Sequence, residues 1–447
     1  MPTTSADPSE SVIDQAPFGT FQKRVVILCA TVAMLDGFDT QSIAYLAPAI
    51  AAQWKVDIAA FGIIFGGGLF GLAVGAFLLS AVGDRFGRKI VILGSVLVFG
   101  IFSLLTAQAE TMNELLVLRF LTGIGLGGAM PNIIALTNEY APARLKATLV
   151  TVMFCGFPLG STIGGLIAAP LVETYGWEWV FFLGGILPLL LLPFLALLLP
   201  ESARFLAMQR GKAGKIGAIL SKISPGASPE AFIASVRAES NLSAETPRVP
   251  LLELFAEGRA AMTSLIWLAF FMNLLVMYFL VNWLPALLRG SGLSLGVAIM
   301  STALLNLGGV AGGLALGRLM DRRSPYVVLA SGFGAAAVFI VVIAMADSNL
   351  VVLLAGAAFA GFGISGGQIG LNAVTATLYP TRMRAGGVGF ALGVGRIGSI
   401  LGPVLGGILI GLDWAPQTLL LASVAPALIA AGAVLALRWA HMPLRVA

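Results

Sequence analysis

One histidine, two cysteines and few charges in 447 residues narrow the chemistry open to this chain before any motif is read. Charged residues make up 11% and hydrophobic ones 58%, outside the range of soluble globular domains, so a soluble enzyme is excluded. The lone histidine, His441, follows the last apolar run, so a proton carrier inside a membrane must be a carboxylate rather than an imidazole. Cys29 and Cys155 both fall in apolar runs, which argues against a disulfide framework and a thiolate metal site. The residues before about Thr20 hold Asp7, Glu10 and Asp14 but no basic n-region, so a cytoplasmic tail is expected there rather than a cleaved signal. No cofactor, metal or enzymatic activity is expected.

What the chain does have is long apolar runs. About 20 residues at 1.5 Å each cover a hydrocarbon core of about 30 Å. Runs of that length fall near 24–50, 58–82, 89–108, 112–138, 147–172 and 177–199, then near 260–288, 294–317, 325–346, 349–378, 384–411 and 415–438. An all-α membrane protein is therefore expected. Its plan is a tail at 1–23, a six-helix bundle at 24–199, a polar linker with short surface helices at 200–259, a second bundle at 260–439 and a tail at 440–447.

With both ends placed in the cytoplasm, the inside connections hold nearly all basic residues and leave only Lys55, Arg119, Arg289 and Arg396 over. The positive-inside rule thus fixes the orientation. The membrane surface accounts for the net charge of +5, so no nucleic-acid partner is needed. A repeat is also present. At a near-constant offset Pro48 falls on Pro285, Asp84-Arg85 on Asp321-Arg322, Arg144 on Arg382, Gly160-Ser161 on Gly398-Ser399 and Gly164 on Gly402. This marks a duplicated six-helix unit, a parallel repeat with its site expected at the interface near mid-membrane.

The first run carries Asp36-Gly37-Phe38-Asp39 in its middle. Intramembrane acids cost a few kcal/mol each and normally face a polar cavity, a cation or a proton. Their i, i+3 spacing puts both on one helical face, read here as the lining of a transport pathway, with a structural pair to a neighbouring helix as the alternative.

Gly83-Asp84-Arg85-Phe86-Gly87-Arg88-Lys89, after the second run, resembles the signature cytoplasmic loop of the major facilitator superfamily, and Gly317 through Arg323 resembles its degenerate copy. Arg119 with Gly123, Gly125 and Gly127 is similar to the superfamily's fourth-helix pattern. These resemblances cover the whole chain and imply the twelve-helix facilitator fold. Within it, Asp36-Gly37-Phe38-Asp39 resembles the aromatic acid:proton symporter family, which implies import of hydroxybenzoate-like acids. Pro200 through Leu206 and Glu139 through Arg144 also resemble sugar-porter segments.

Counting depth along the runs, Asp39 lies roughly 13 Å and Arg119 roughly 10 Å from the outer side. The two can meet, and an Asp that titrates beside an Arg that does not would form a switch; a static pair is the alternative. Glu139, at the inner end of the fourth run, is grouped with Asp36, Asp39 and Arg119 as a proton-coupling candidate. Arg396, roughly 18 Å from the cytoplasmic side, is the expected anchor for a carboxylate, unless it pairs permanently with an acid such as Asp36. Asn273 stands where Asp36 does in the second half, and Gln368 and Asn372 share one helical face. These amides can read a ring hydroxyl or simply bond helices together. Phe38, Tyr45, Tyr278 and Trp283 are candidate walls for the ring, although spanning aromatics are usually packing or interface anchors. Gly83, Asp84, Arg85 and Arg88, with Asp321 and Arg322, are expected to form gating loops between the bundles.

Gly123 to Gly128 fits a dinucleotide pattern, but no strand precedes it and helix packing explains it better. The reading that results is a transporter importing an aromatic carboxylate with protons by alternating access, a monomeric unit of a bacterial inner membrane. A sugar or other metabolite symporter and a non-transporting sensor on the same fold are the alternatives.

Overall fold

The computed structural model describes residues 13, 16–244, 251–346 and 349–440. Asp7, Glu10, Asp14, Arg248, His441 and Arg445 lie outside them. Among the described residues, twelve helices are long and apolar enough to cross a membrane. The first six spans are Thr20–Trp54, Ile58–Phe86, Arg88–Thr106, Met112–Tyr140, Ala143–Tyr175 and Glu178–Leu198. Spans 7 to 12 are Ala260–Gly290, Leu295–Met320, Pro325–Ala344, Leu350–Leu378, Gly386–Gly411 and Pro416–Ala440. Three short helices, Ala203–Met208, Ala213–Ile223 and Pro229–Ala244, follow span 6.

The duplication seen in sequence is repeated in the physical devices that shape each half. Helix starts need acceptors for their free N–H groups. Thr111 supplies one to Glu114 N at 3.2 Å, and its counterpart Asn349 supplies one to Val352 N at the same distance. Asp57 caps Ala59 N at 2.9 Å ahead of span 2, and Ser294 caps Val297 N at 3.4 Å at the start of span 8.

Close helix approach repeats as well. A side chain at Gly71 or Gly75 on span 2 would run into the span 4 carbonyls of Phe120 and Ile124; one at Gly308 or Gly312 on span 8 would run into those of Ala358 and Phe362 on span 10. Gly160 on span 5 touches the Met34 backbone of span 1, and Gly398 on span 11 touches that of Phe271 on span 7. In lipid no hydrophobic force draws apolar helices together, so backbone approach over small residues does that work. The outward faces carry exposed Phe77, Leu197, Val351 and Ile408, as lipid-facing helices should.

Among the described residues, the contacts between the two halves gather toward one end. Around the joint of spans 1 and 2, Gly62 abuts Pro403 and Gly407 of span 11, and the Phe65 ring meets Trp283 edge-on with centroids 5.1 Å apart. Deeper in, Gln41 Nε2 donates to the Val281 carbonyl at 2.7 Å and Asn306 Nδ2 donates to Ser161 Oγ at 3.0 Å. At the opposite end the space beside Gly317, Gly389 and Gly393 is open.

Candidate functional site

Gly37 explains how Asp36 and Asp39 come to be buried. Its missing side chain lets the Phe157 backbone of span 5 lie against span 1, and Phe38 then fills the space over Gly164 and Gly184. Asp39 is left pointing between spans 3, 4 and 6 with no exposed surface. Arg119 Nη2 donates to its Oδ2 at 2.7 Å and to its backbone carbonyl at 3.3 Å, and Nη1 reaches Oδ1 at 3.4 Å. Ser103 Oγ donates to the same Oδ1 at 2.7 Å. The guanidinium carbon lies 5.3 Å from the Phe181 ring centroid, while Arg119 Nε has no partner. The arginine thus satisfies the acid on one side, stacks on an aromatic ring, and faces a cavity between the halves with its edge.

Asp36 is held differently. Its Oδ1 accepts from Thr40 Oγ1 at 3.0 Å, one turn further along the helix, and its Oδ2 is buried without a partner. Arg396, partly exposed on span 11, is within electrostatic reach of Asp36. Its guanidinium makes no hydrogen bond or ion pair with any described residue, so the permanent Asp36–Arg396 pair considered from sequence is absent in this arrangement.

The amides form a ladder. Asn273 Nδ2 donates to Gln368 Oε1 at 2.8 Å and to the Ile364 carbonyl at 3.3 Å, and Gln368 Nε2 donates to Asn372 Oδ1 at 3.3 Å. Asn273 Oδ1 stays unpartnered and buried. This cross-links spans 7 and 10 and leaves one acceptor unused.

The aromatics divide. Tyr278 lines the cavity between the halves, together with Thr40, Gln41, Arg119, Asn282 and Asn306. Phe38, Tyr45 and Trp283, expected as ring walls, are turned into helix packing instead. Tyr45 lies over Gly165 with its hydroxyl on Ser161, and Trp283 Nε1 donates to the Pro403 carbonyl at 2.8 Å. Large aromatic side chains fill the volume that neighbouring glycines vacate, and these positions face such glycines.

Glu139 stands apart from the other proton-coupling candidates. It stands 20 residues from Arg119 on the same helix, roughly 30 Å away. There its Oε1 pairs with Arg88 Nη1 at 2.9 Å, and its Oε2 accepts from Ser202 Oγ at 2.5 Å. It belongs with the loop residues, not with Asp39. Among the described residues, no hydrogen bond or ion pair joins the side chains of those loops across the halves: Arg88 Nη2 reaches Asp84 at 3.7 Å within its own loop, and Asp84 is 74% exposed on its side chain. Arg85, Asp321 and Arg322 are exposed, and Gly83 rests against Asn132 of span 4.

Sequence reasoning passed over Ser103, Phe181, Thr40 and Gln41. Thr40 could have been found, because it lies one helical turn from Asp36. The others meet their partners only across helices.

A sequence profile of the Major Facilitator Superfamily matches residues 29–357 and, in a second overlapping match, 302–446. The chain belongs to the major facilitator superfamily, whose twelve helices in two repeated bundles are those described above. Within it the chain falls among the aromatic acid transporters. It is 42% identical over 421 residues to the 4-hydroxybenzoate transporter PcaK of Pseudomonas putida, covering 94% of this chain and 93% of that one. It is 41% identical over 424 residues to a gallate transporter of Pseudomonas putida, covering 95% and 93%. Among solved structures, the inward-open xylose transporter XylE of E. coli superposes with a TM-score of 0.75 over 94% of this chain and 96% of that one. At 18% identity this likeness concerns the fold alone.

Proposed function

We propose that this chain is a proton symporter that carries a hydroxybenzoate-like aromatic carboxylate across a bacterial inner membrane by alternating access. Its termini lie in the cytoplasm, its bundles span 24–199 and 260–439, and it works as a monomer. The observation that carries the reading is the charge arrangement at the middle of the bundles. One acid, Asp39, is fully engaged by Arg119; a second, Asp36, has an unmet oxygen; and Arg396, whose guanidinium has no partner among the described residues, stands across from it.

The chemistry follows from those three states of satisfaction. An aromatic carboxylate drawn into a site of low dielectric needs a cation with free donors, and Arg396 offers a planar fork that can bind it bidentately. Asp36 would take the exchangeable proton on its unmet oxygen. With Asp36 neutral, the Arg396 charge is left for the substrate, so proton and anion bind together. Asp39 is the second proposed proton carrier, freed when the bundles shift and Arg119 moves off it. The Asn273 acceptor and the Gln368–Asn372 pair suit recognition of ring hydroxyls, and Tyr278 suits contact with the ring.

Cotransport also answers the energetics. The membrane potential opposes entry of one negative charge by about 2.3 kcal/mol per 100 mV, and one proton cancels that charge. With the expected orientation, contact at the end where spans 1 and 2 join closes the outer side, so the arrangement is inward-facing. The names of the relatives, hydroxybenzoate and gallate transporters, support the substrate class.

The test is uptake by proteoliposomes of labelled 4-hydroxybenzoate, gallate and benzoate under an imposed pH gradient, with xylose as control. Accumulation of an aromatic acid that collapses with the gradient is expected. Accumulation of xylose alone, or of nothing despite saturable binding, would overturn the reading.

A further inference from the structure

Away from the transport pathway, Arg24, Lys89, Lys212, Lys215 and Lys222 converge on one surface recess. Its walls come from the first turn of span 1, the end of span 2, the start of span 3 and the end of span 6. All four spans terminate at this level, which puts the recess at the boundary between hydrocarbon and headgroups. The linker helix Ala213–Ile223 lies across it. Ile216, Leu220 and Ile223 are buried in a core shared with the two other linker helices and span 1, while Lys215 and Lys222, with Lys212 just ahead of the helix, line the recess.

The charges there are largely uncompensated. Arg24, Lys212 and Lys215 form no ion pair with a described residue, and Lys222 sits over the Phe21 ring at 5.8 Å. The one acid in the wall, Glu201, accepts the backbone N–H groups of Lys89 at 3.1 Å and Ser202 at 2.8 Å through Oε1, and its charge acts on Lys89, which leaves a single acid against five cations. Lys89 Nζ donates to the Ala196 carbonyl at 2.6 Å. Beside this cluster the wall is apolar and exposed: Phe86, Ile90, Leu197 and Leu198 continue the lipid-facing surface of their spans. A free anion would use the charges and leave the apolar wall idle. An amphiphile with an anionic head and acyl chains would use both.

We propose that this recess is a binding site for an anionic phospholipid of the adjacent leaflet. The headgroup phosphate sits among Lys212, Lys215, Lys222 and Arg24, and an acyl chain lies along Phe86, Ile90 and Leu197. The lipid ties the linker helix to the bundle through its cationic face. Basic recesses between spanning helices have the chemistry that such headgroups require. The site does not depend on which substrate the central cavity carries.

The experiment uses the purified full chain in detergent, titrated separately with phosphatidylglycerol, phosphatidylcholine and inorganic phosphate. Native mass spectrometry and the unfolding temperature are the readouts. Phosphatidylglycerol alone should bind and raise the unfolding temperature, with the effect shrinking as salt is added. The Lys212→Gln/Lys215→Gln/Lys222→Gln variant should bind it at least tenfold more weakly. The same three positions changed to Arg should keep binding, as should Arg318→Gln/Arg323→Gln on the other half. If the glutamine variant does not purify, Phe86→Ser/Leu197→Ser removes the acyl wall, leaves the charges, and should weaken binding as much. Equal binding of phosphatidylcholine, an equal shift with inorganic phosphate, or wild-type binding by the variant that purifies would each overturn the proposal.

Discussion

Asp39 and Arg119 close a 2.7 Å ion pair between spans 1 and 4, with side-chain exposures of 0% and 4%. A pair so enclosed has lost its hydration, and what repays the loss is its geometry: two guanidinium nitrogens, the Ser103 hydroxyl and the Phe181 ring all act on it. This also means neither partner can be removed quietly.

If Asp39 carries a coupled proton, Asp39→Asn is expected to abolish gradient-driven uptake while leaving substrate exchange partly intact, because the variant keeps the proposed anion site. It should also cost about 3–5 kcal/mol of stability by leaving Arg119 buried without a counter-charge. The double variant Asp39→Asn/Arg119→Gln should recover much of the thermal stability and none of the coupling. Uptake and unfolding temperature measured on both separate a coupling role from a purely structural one; recovery of driven uptake in the double variant would refute the former.

Arg396→Gln removes the cation near Asp36 that has no partner among the described residues. If that guanidinium holds the carboxylate, the charge-assisted bonds it makes are worth about 1.5–3 kcal/mol, or roughly 10- to 100-fold in affinity. Arg396→Lys should restore the charge but not the fork and fall between. Equilibrium binding of labelled 4-hydroxybenzoate measures this, and unaltered affinity in the glutamine variant would exclude Arg396 from the site.

Gly62 and Gly407 touch across the two halves where they meet. Replacing either glycine by Val should keep that end from closing, because an added Cβ would lie within 2.9 Å of backbone atoms of the other half, and transport should fall at least tenfold. Equilibrium binding of labelled 4-hydroxybenzoate should be retained in both variants. Transport at the wild-type rate in both would show that this contact is not needed in the cycle.

Glu139→Gln weakens the cluster with Arg88 and Ser202 at the far end of span 4 from the ion pair. Transport should fall about tenfold, corresponding to about 1.4 kcal/mol between access states, with substrate affinity changed little. Proteoliposome rates set against binding constants test this, and a proportional loss of both would return Glu139 to the proton pathway.

Gly184 shows where a sequence reading stops. Span 6 reads as a uniform apolar run, and nothing in it announces that this glycine would let Phe38 and Asp39 of span 1 settle beside it. The Asp39–Arg119 meeting, by contrast, was legible, since both residues are charged, both sit at countable depths in spans, and neither can stay unpaired in lipid. Glu139 was grouped with Asp39 by residue type, whereas its depth, read along span 4, puts it at the other end of that helix.

The sequence by itself determined twelve crossings, their duplication and the presence of acids and arginines inside them. Apolar length and the cost of a bare charge in hydrocarbon are local properties that a one-dimensional reading can count. Only the tertiary structure decided that Asp39 is satisfied while Asp36 and Arg396 are not, that Tyr45 and Trp283 serve packing, and that the halves touch at one end. Those outcomes depend on which helix faces which. That is set by glycine contacts between segments over a hundred residues apart, such as Gly160 against Met34 and Gly62 against Gly407, and no local pattern records it.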